Sequence, residues 1–141
     1  VQTATAVATA VVFVWLGMVL AISFIEAPLK FRAPGVTLPI GLGIGRLVFR
    51  ALNLCELTMS AALAVCFIVE PPTVALGVGA GAAIIALLVQ VLVVRPSLNR
   101  RTEATLAGAD GPRSRAHWAY VGMEIVKVIA LLVAGVSLLA A

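Results

Sequence analysis

Four apolar stretches, at about 5–27, 51–69, 73–94 and 116–141, are each long enough to cross a bilayer. A hydrocarbon core takes roughly 20 apolar residues at 1.5 Å of helical rise each. Two of the stretches nevertheless carry ionisable groups, Glu56 in the second and Glu124 and Lys127 in the fourth. Each such group costs on the order of 2.5–3.5 kcal/mol on insertion scales, so it requires an internal partner or a use. Only 11% of the residues are charged and 62% are hydrophobic. A soluble globule carries roughly a quarter charged residues, so lipid must cover much of this apolar surface. The expected fold is an all-α membrane protein, a single bundle of four transmembrane helices.

The net charge of +4 does not indicate nucleic acid, because the basic residues form no run with aromatics between them. Lys30, Arg32, Arg46 and Arg50 lie in or just after the first connection, and Arg95, Arg100, Arg101, Arg113 and Arg115 lie in the third. The second, Glu70-Pro71-Pro72, has none. The positive-inside rule then places connections one and three in the cytoplasm and both termini outside, as a multi-pass protein of the inner membrane. The first stretch lacks a basic leader and a clear cleavage site, and is expected to be a retained span.

The halves resemble each other faintly. A shift of 68 residues places Pro28 on Pro96, Arg32 on Arg100, Gly43 on Gly111 and Glu56 on Glu124. Each half holds two spans, so such a repeat would be parallel, with its axis along the membrane normal.

Projected at 3.6 residues per turn, Arg46, Phe49, Arg50, Asn53, Glu56 and Ser60 share one face of the second helix. His117, Tyr120, Glu124 and Lys127 share one face of the fourth. These faces are expected to meet, because lipid cannot satisfy them. Glu124 and Lys127, three apart, are placed to pair on their own helix, which leaves Glu56 for Arg46, Arg50, His117 or Lys127. With the boundary near Arg50 and Arg115, Lys127 lies about 18 Å deep, too far for its stem to reach water easily. With Glu26, these charged and polar residues form the candidate ligand- or ion-binding set. The competing reading is a neutralised network that only fixes helix register.

Other features read as packing. Cys55 and Cys66 sit about 16 Å apart along one helix and cannot bridge each other. With one His and no CxxC, no metal or cofactor is expected. Trp118 and Tyr120 read as interfacial anchors, and Trp15, in mid-span, as a packing residue. The Gly- and Pro-rich segment 28–45 is expected to fold back as a re-entrant or interfacial piece. Its Gly41-Leu-Gly-Ile-Gly-Arg46 run reads as close helix packing in preference to an anion cradle. Gly77-Val-Gly-Ala-Gly81 offers close backbone approach within the bundle or between protomers. Gly108–Pro112 reads as a turn, and Ser114 as a helix cap.

The run Glu26-Ala-Pro-Leu-Lys-Phe-Arg-Ala-Pro-Gly35, the run Gly41-Leu-Gly-Ile-Gly-Arg-Leu-Val-Phe49, and Asn53 with Glu56 together resemble the signature of an uncharacterised family. Its members are small four-helix bacterial membrane proteins, common in actinobacteria. Arg95-Pro-Ser-Leu-Asn-Arg-Arg101 and the His117, Tyr120, Glu124, Lys127 pattern are similar to it too. The resemblance implies the fold and brings no activity with it.

Three functions suit these features, in order of preference. The first is binding or transport of a small ion or polar solute, in a homo-oligomer. The second is an accessory subunit packed against another membrane protein. The third is an enzyme acting on a lipid or quinone, with Glu56 and Glu124 as acid and base.

Overall fold

The computed structural model describes residues 3–106 and 115–140, all helix and short turns. Four helices are long and apolar enough to cross a membrane. We label them α1 (Thr3–Arg32), α2 (Leu38–Val69), α3 (74–106) and α4 (Arg115–Ala140). They form an up-down-up-down bundle in which α1 packs on α2 and α4, and α3 makes its most extensive contact with α4. This is the integral membrane bundle expected from hydropathy.

The helices run further than the apolar stretches do. The segment 28–45 is no re-entrant loop: α1 continues to Arg32 and α2 begins at Leu38. The turn between them is tight, with Gly35 at φ +82°, a backbone angle that side chains disfavour. Thr37 and Thr73 then cap α2 and α3, their side chains accepting from the backbone N–H of Ile40 and Leu76. Pro39 falls at the start of α2, where a missing N–H costs nothing. At 32 residues, α2 spans about 48 Å, so its ends project beyond a hydrocarbon core of about 30 Å. The predicted turn at Gly108–Pro112 and the Ser114 cap lie outside the described residues.

Two stretches depart from α geometry. Leu20–Glu26 in α1 and Gln90–Val94 in α3 are π-helical, closed by N–H bonds from Ala27 to the Ile22 carbonyl and from Arg95 to the Gln90 carbonyl. Each ends two residues before a proline, Pro28 or Pro96. Proline removes an N–H and crowds the carbonyl four residues back, and a widened turn relieves that crowding. The two π segments overlap at the 68-residue shift. So does the buried face: Ala8 with Leu76, Val12 with Ala80, Trp15 with Ala83, Val19 with Leu87 and Leu63 with Leu131 are all buried. The faint sequence repeat thus has a counterpart in backbone and burial.

The interior is packed by these residues together with Leu16, Ala86, Ala130 and Ala134. Large apolar side chains such as Ile68, Val74 and Leu92 point outward, as lipid-facing positions do. Gly79 permits the close approach of α3 to α4: a Cβ there would lie 2.9 Å from the Ala130 carbonyl oxygen and 3.0 Å from the Ala134 nitrogen. Gly81, two residues on, would meet nothing within 4 Å. Gly79→Val should therefore cost about 1–3 kcal/mol through overpacking and lower the thermal midpoint in detergent. Gly81→Val should leave the midpoint unchanged or raise it, since glycine is a poor helix former.

Candidate functional site

The two polar faces meet in an ionic cluster at the centre of the bundle. Lys127 Nζ lies 2.5 Å from Glu56 Oε2 on α2 and 2.5 Å from Glu124 Oε1 one turn back on its own helix. Among the partners that the sequence allows Glu56, the structure selects Lys127. Lys127 and Glu56 are fully buried and Glu124 is nearly so. A buried pair of this kind holds only when further hydrogen bonds satisfy its remaining atoms. Here α1 and α3 supply three of them. Trp15 Nε1 donates to Glu56 Oε2 at 2.8 Å, Gln90 Nε2 donates to Glu124 Oε1 at 2.8 Å, and the Ser23 hydroxyl donates to Glu124 Oε2. Gln90 also donates to the Tyr120 carbonyl at 3.2 Å. Two carboxylates and one ammonium leave the cluster with a formal charge of −1. Glu56 Oε1, Asn53 Oδ1 and Gln90 Oε1 remain buried acceptors without a hydrogen-bond donor.

The π segments account for two of these contacts. Ser23 lies within the first and Gln90 opens the second. A π turn rotates the residues beyond it relative to an α path, and such bulges recur at functional sites. Through them, the prolines help set where the donors to Glu124 fall.

Beside the cluster, among the helix ends that carry the basic residues, lies a pocket of about 360 Å³. Glu124 and Ser23 line it, so the ionic cluster has one face on open space. Tyr120, Phe49 and Arg95 form one wall. Arg95 Nη2 donates to the Tyr120 hydroxyl at 2.9 Å, and its guanidinium carbon sits 4.8 Å from the Tyr120 ring centroid and 5.3 Å from that of Phe49. The two rings meet edge to face at 5.5 Å. On the same helix as Phe49, Gly41 and Gly45 make room for α1: a Cβ at Gly41 would overlap the Phe31 ring, and one at Gly45 would lie 3.0 Å from Lys30 Nζ. The glycine run therefore serves close packing, as the sequence favoured. Lys30 is held 3.6 Å from Glu26, and Arg46 2.8 Å from Glu103 on α3.

Of the candidate residues, Glu56, Glu124, Lys127 and Tyr120 come together, and Asn53 is buried one turn before Glu56. Arg46 and His117 line the pocket, whereas Glu26 is adjacent through Lys30. Arg50 is exposed and stands apart from the pocket lining. Two readings need revision. Tyr120 is no interfacial anchor but a buried partner of Arg95, while Trp118 remains 60% exposed. Trp15 packs in the core, as expected, but also hydrogen-bonds Glu56. Ser23, Gln90 and Arg95 escape a reading by sequence. Gln90, a lone amide in an apolar span six residues before Pro96, is the one available signal. Among the described residues no cluster of His, Cys, Asp and Glu could hold a metal.

No family model matches the chain, and no curated protein or solved structure does so either.

The cluster's energetics can be tested directly. Lys127→Met would leave two carboxylates facing each other in the core and should cost about 3–5 kcal/mol. The neutral triple variant Glu56→Gln, Glu124→Gln, Lys127→Met should recover most of that loss, read as the thermal midpoint of the detergent-solubilised protein.

Proposed function

We propose that this membrane protein binds a small ion or polar solute in the pocket at the basic end of the bundle, with the Glu56–Lys127–Glu124 cluster as its charged floor. One observation carries the reading: the ionic core reaches the surface of a 360 Å³ pocket through Glu124. A network that served only to lock helix register would be sealed on every side by packing. Towards the opposite end the core is closed, since Val12, Trp15, Leu63 and Leu131 are all fully buried. The pocket is therefore accessible from one side, as a binding site or one state of a transporter would be. Four helices rarely enclose a whole pathway, so transport would call for a homo-oligomer.

The basic end faces the cytoplasm in this reading, by the charge bias of its connections. We also propose kinship with the small four-helix bacterial family. Lys30, Phe31, Gly41, Gly45, Arg46 and Phe49, which carry the resemblance, all line the pocket.

Glu124→Gln separates binding from architecture. The amide keeps an oxygen for Lys127 and Gln90, and it removes the cluster's excess negative charge. The variant should stay folded with an unchanged or raised thermal midpoint. A native mass spectrum of the protein released gently from its membrane should show a stoichiometric small-molecule adduct on the parent, at an occupancy that the variant changes. A parent that is ligand-free and travels with another membrane polypeptide would replace this reading with that of an accessory subunit.

A further inference from the structure

We propose that the pocket takes an amphiphilic anion, a carboxylate or phosphate group on an apolar body, with Arg95 as the residue that binds the charged group. The proposal rests on the binding reading above and names the ligand class of the same site.

Three fixed cations line the pocket, and their pairing differs. Lys30 has Glu26 and Arg46 has Glu103. Arg95 has no carboxylate within 4 Å among the described residues; its contacts are the Tyr120 hydroxyl and two ring faces. Its Nε is buried and has no hydrogen-bond partner. Ring faces contribute about 0.5–2 kcal/mol to a nearby cation, and a phenol adds one hydrogen bond without adding charge. Neither neutralises the charge of the half-buried guanidinium. The planar fork is suited to bidentate contact with a carboxylate or phosphate, and its Nε has no partner of its own.

Glu124 argues against a cation or zwitterion in the same place. Both of its oxygens already accept from protein donors, Oε1 from Lys127 and Gln90 and Oε2 from Ser23. It has little left to offer a ligand ammonium. The rest of the lining calls for an apolar body: Phe24, Phe31, Leu42, Leu98 and Val121 surround the space next to Arg95. Phe24 and Phe31 are also exposed on the outer surface of α1, where lipid would lie. The site thus offers one cation without a carboxylate partner among the described residues, with apolar side chains in the same lining.

The class has two sources, an anionic phospholipid of the leaflet and a free acyl carboxylate, and probes distinguish them. The parent protein in neutral detergent is titrated with phosphatidylglycerol, dodecanoate, dodecyltrimethylammonium and inorganic phosphate, and read by native mass spectrometry and thermal shift. At least one anionic amphiphile should bind stoichiometrically, and dodecyltrimethylammonium and inorganic phosphate should not compete with it. Phosphatidylglycerol alone would identify a leaflet lipid, and dodecanoate alone a free amphiphile. Arg95→Gln should weaken the bound anion roughly ten- to a hundredfold. Arg50→Gln removes an equal charge outside the pocket and should leave binding unchanged.

Equal loss in both arginine variants, or equal binding of the cationic probe by the parent, overturns the proposal. The comparison of probes on the parent decides the matter even if Arg95→Gln does not fold. A cationic or zwitterionic solute bound in a Glu124-dependent way, with the anions excluded, would sink the anion assignment and keep the pocket reading. Occupancy by no solute of any charge would sink both.

Discussion

The bundle depends on one contact, Lys127 held between Glu56 and Glu124 with no exposure to solvent. An ammonium at that depth tolerates few arrangements, because lipid offers it nothing and its stem is too short to reach the headgroups. Joining it to a carboxylate on α2 fixes α4 against α2 in both rotation and height. A slip of one turn would move the partners about 5.4 Å apart and leave charges unpaired in the core. Trp15 and Ser23 from α1 and Gln90 from α3 bond to the same two carboxylates, so all four helices are indexed to one point. Apolar packing alone would not give this definition, since lipid tails are as apolar as the helix faces they compete for.

Small residues and proline set the geometry around that contact. Gly79 admits the close approach of α3 to α4, and further along α3 Gln90 reaches Glu124 on α4. Pro28 and Pro96 have the opposite character, each disturbing a helix just after its π segment. The disturbed backbone lies beside the pocket, where Ser23, Arg95 and Tyr120 have their polar contacts, and not in the apolar half of the bundle. Irregular backbone at membrane depth is tolerated where it borders a cavity or is buried in protein. Its position here obeys that rule.

These features differ in how far they can be read from the residues. Polar side chains recurring at helical spacing in an apolar span are unambiguous, so Glu56, Asn53, Tyr120, Glu124 and Lys127 are legible together on facing sides. Trp15 and Ser23, eight residues apart in the first span, and Gln90 in the third are too sparse to define a period. The π turns also shift the phase of the residues beyond them, so a projection at a constant 3.6 residues per turn misplaces those residues. The extent of α2 is hidden for another reason. Gly41, Gly43 and Gly45 have the composition of a turn, but Gly41 and Gly45 lie on the inner face of a helix, where the absence of a side chain admits Phe31 and Lys30. A glycine chosen for closeness and one chosen for flexibility look the same until the neighbour is known. Arg95 reads as part of a polar connection because it borders one; only the rings of Phe49 and Tyr120 show that it turns inward.

The internal correspondence of the halves gives the site its context. Matching positions share burial, π turns and prolines. The site residues break that relation. Lys127 corresponds to Met59, Trp15 to Ala83, Gln90 to Ile22 and Ser23 to Val91. Of the ionic cluster, only Glu56 and Glu124 correspond to each other. Two carboxylates related in this way would repel each other across the core of a symmetric bundle, and a single lysine from one half joins them. The joined cluster has unlike sides. Glu56 is closed in by Trp15, whereas Glu124 borders a pocket with Arg95 on its wall. The pocket therefore borders one carboxylate and not the other, so two corresponding positions have unlike surroundings.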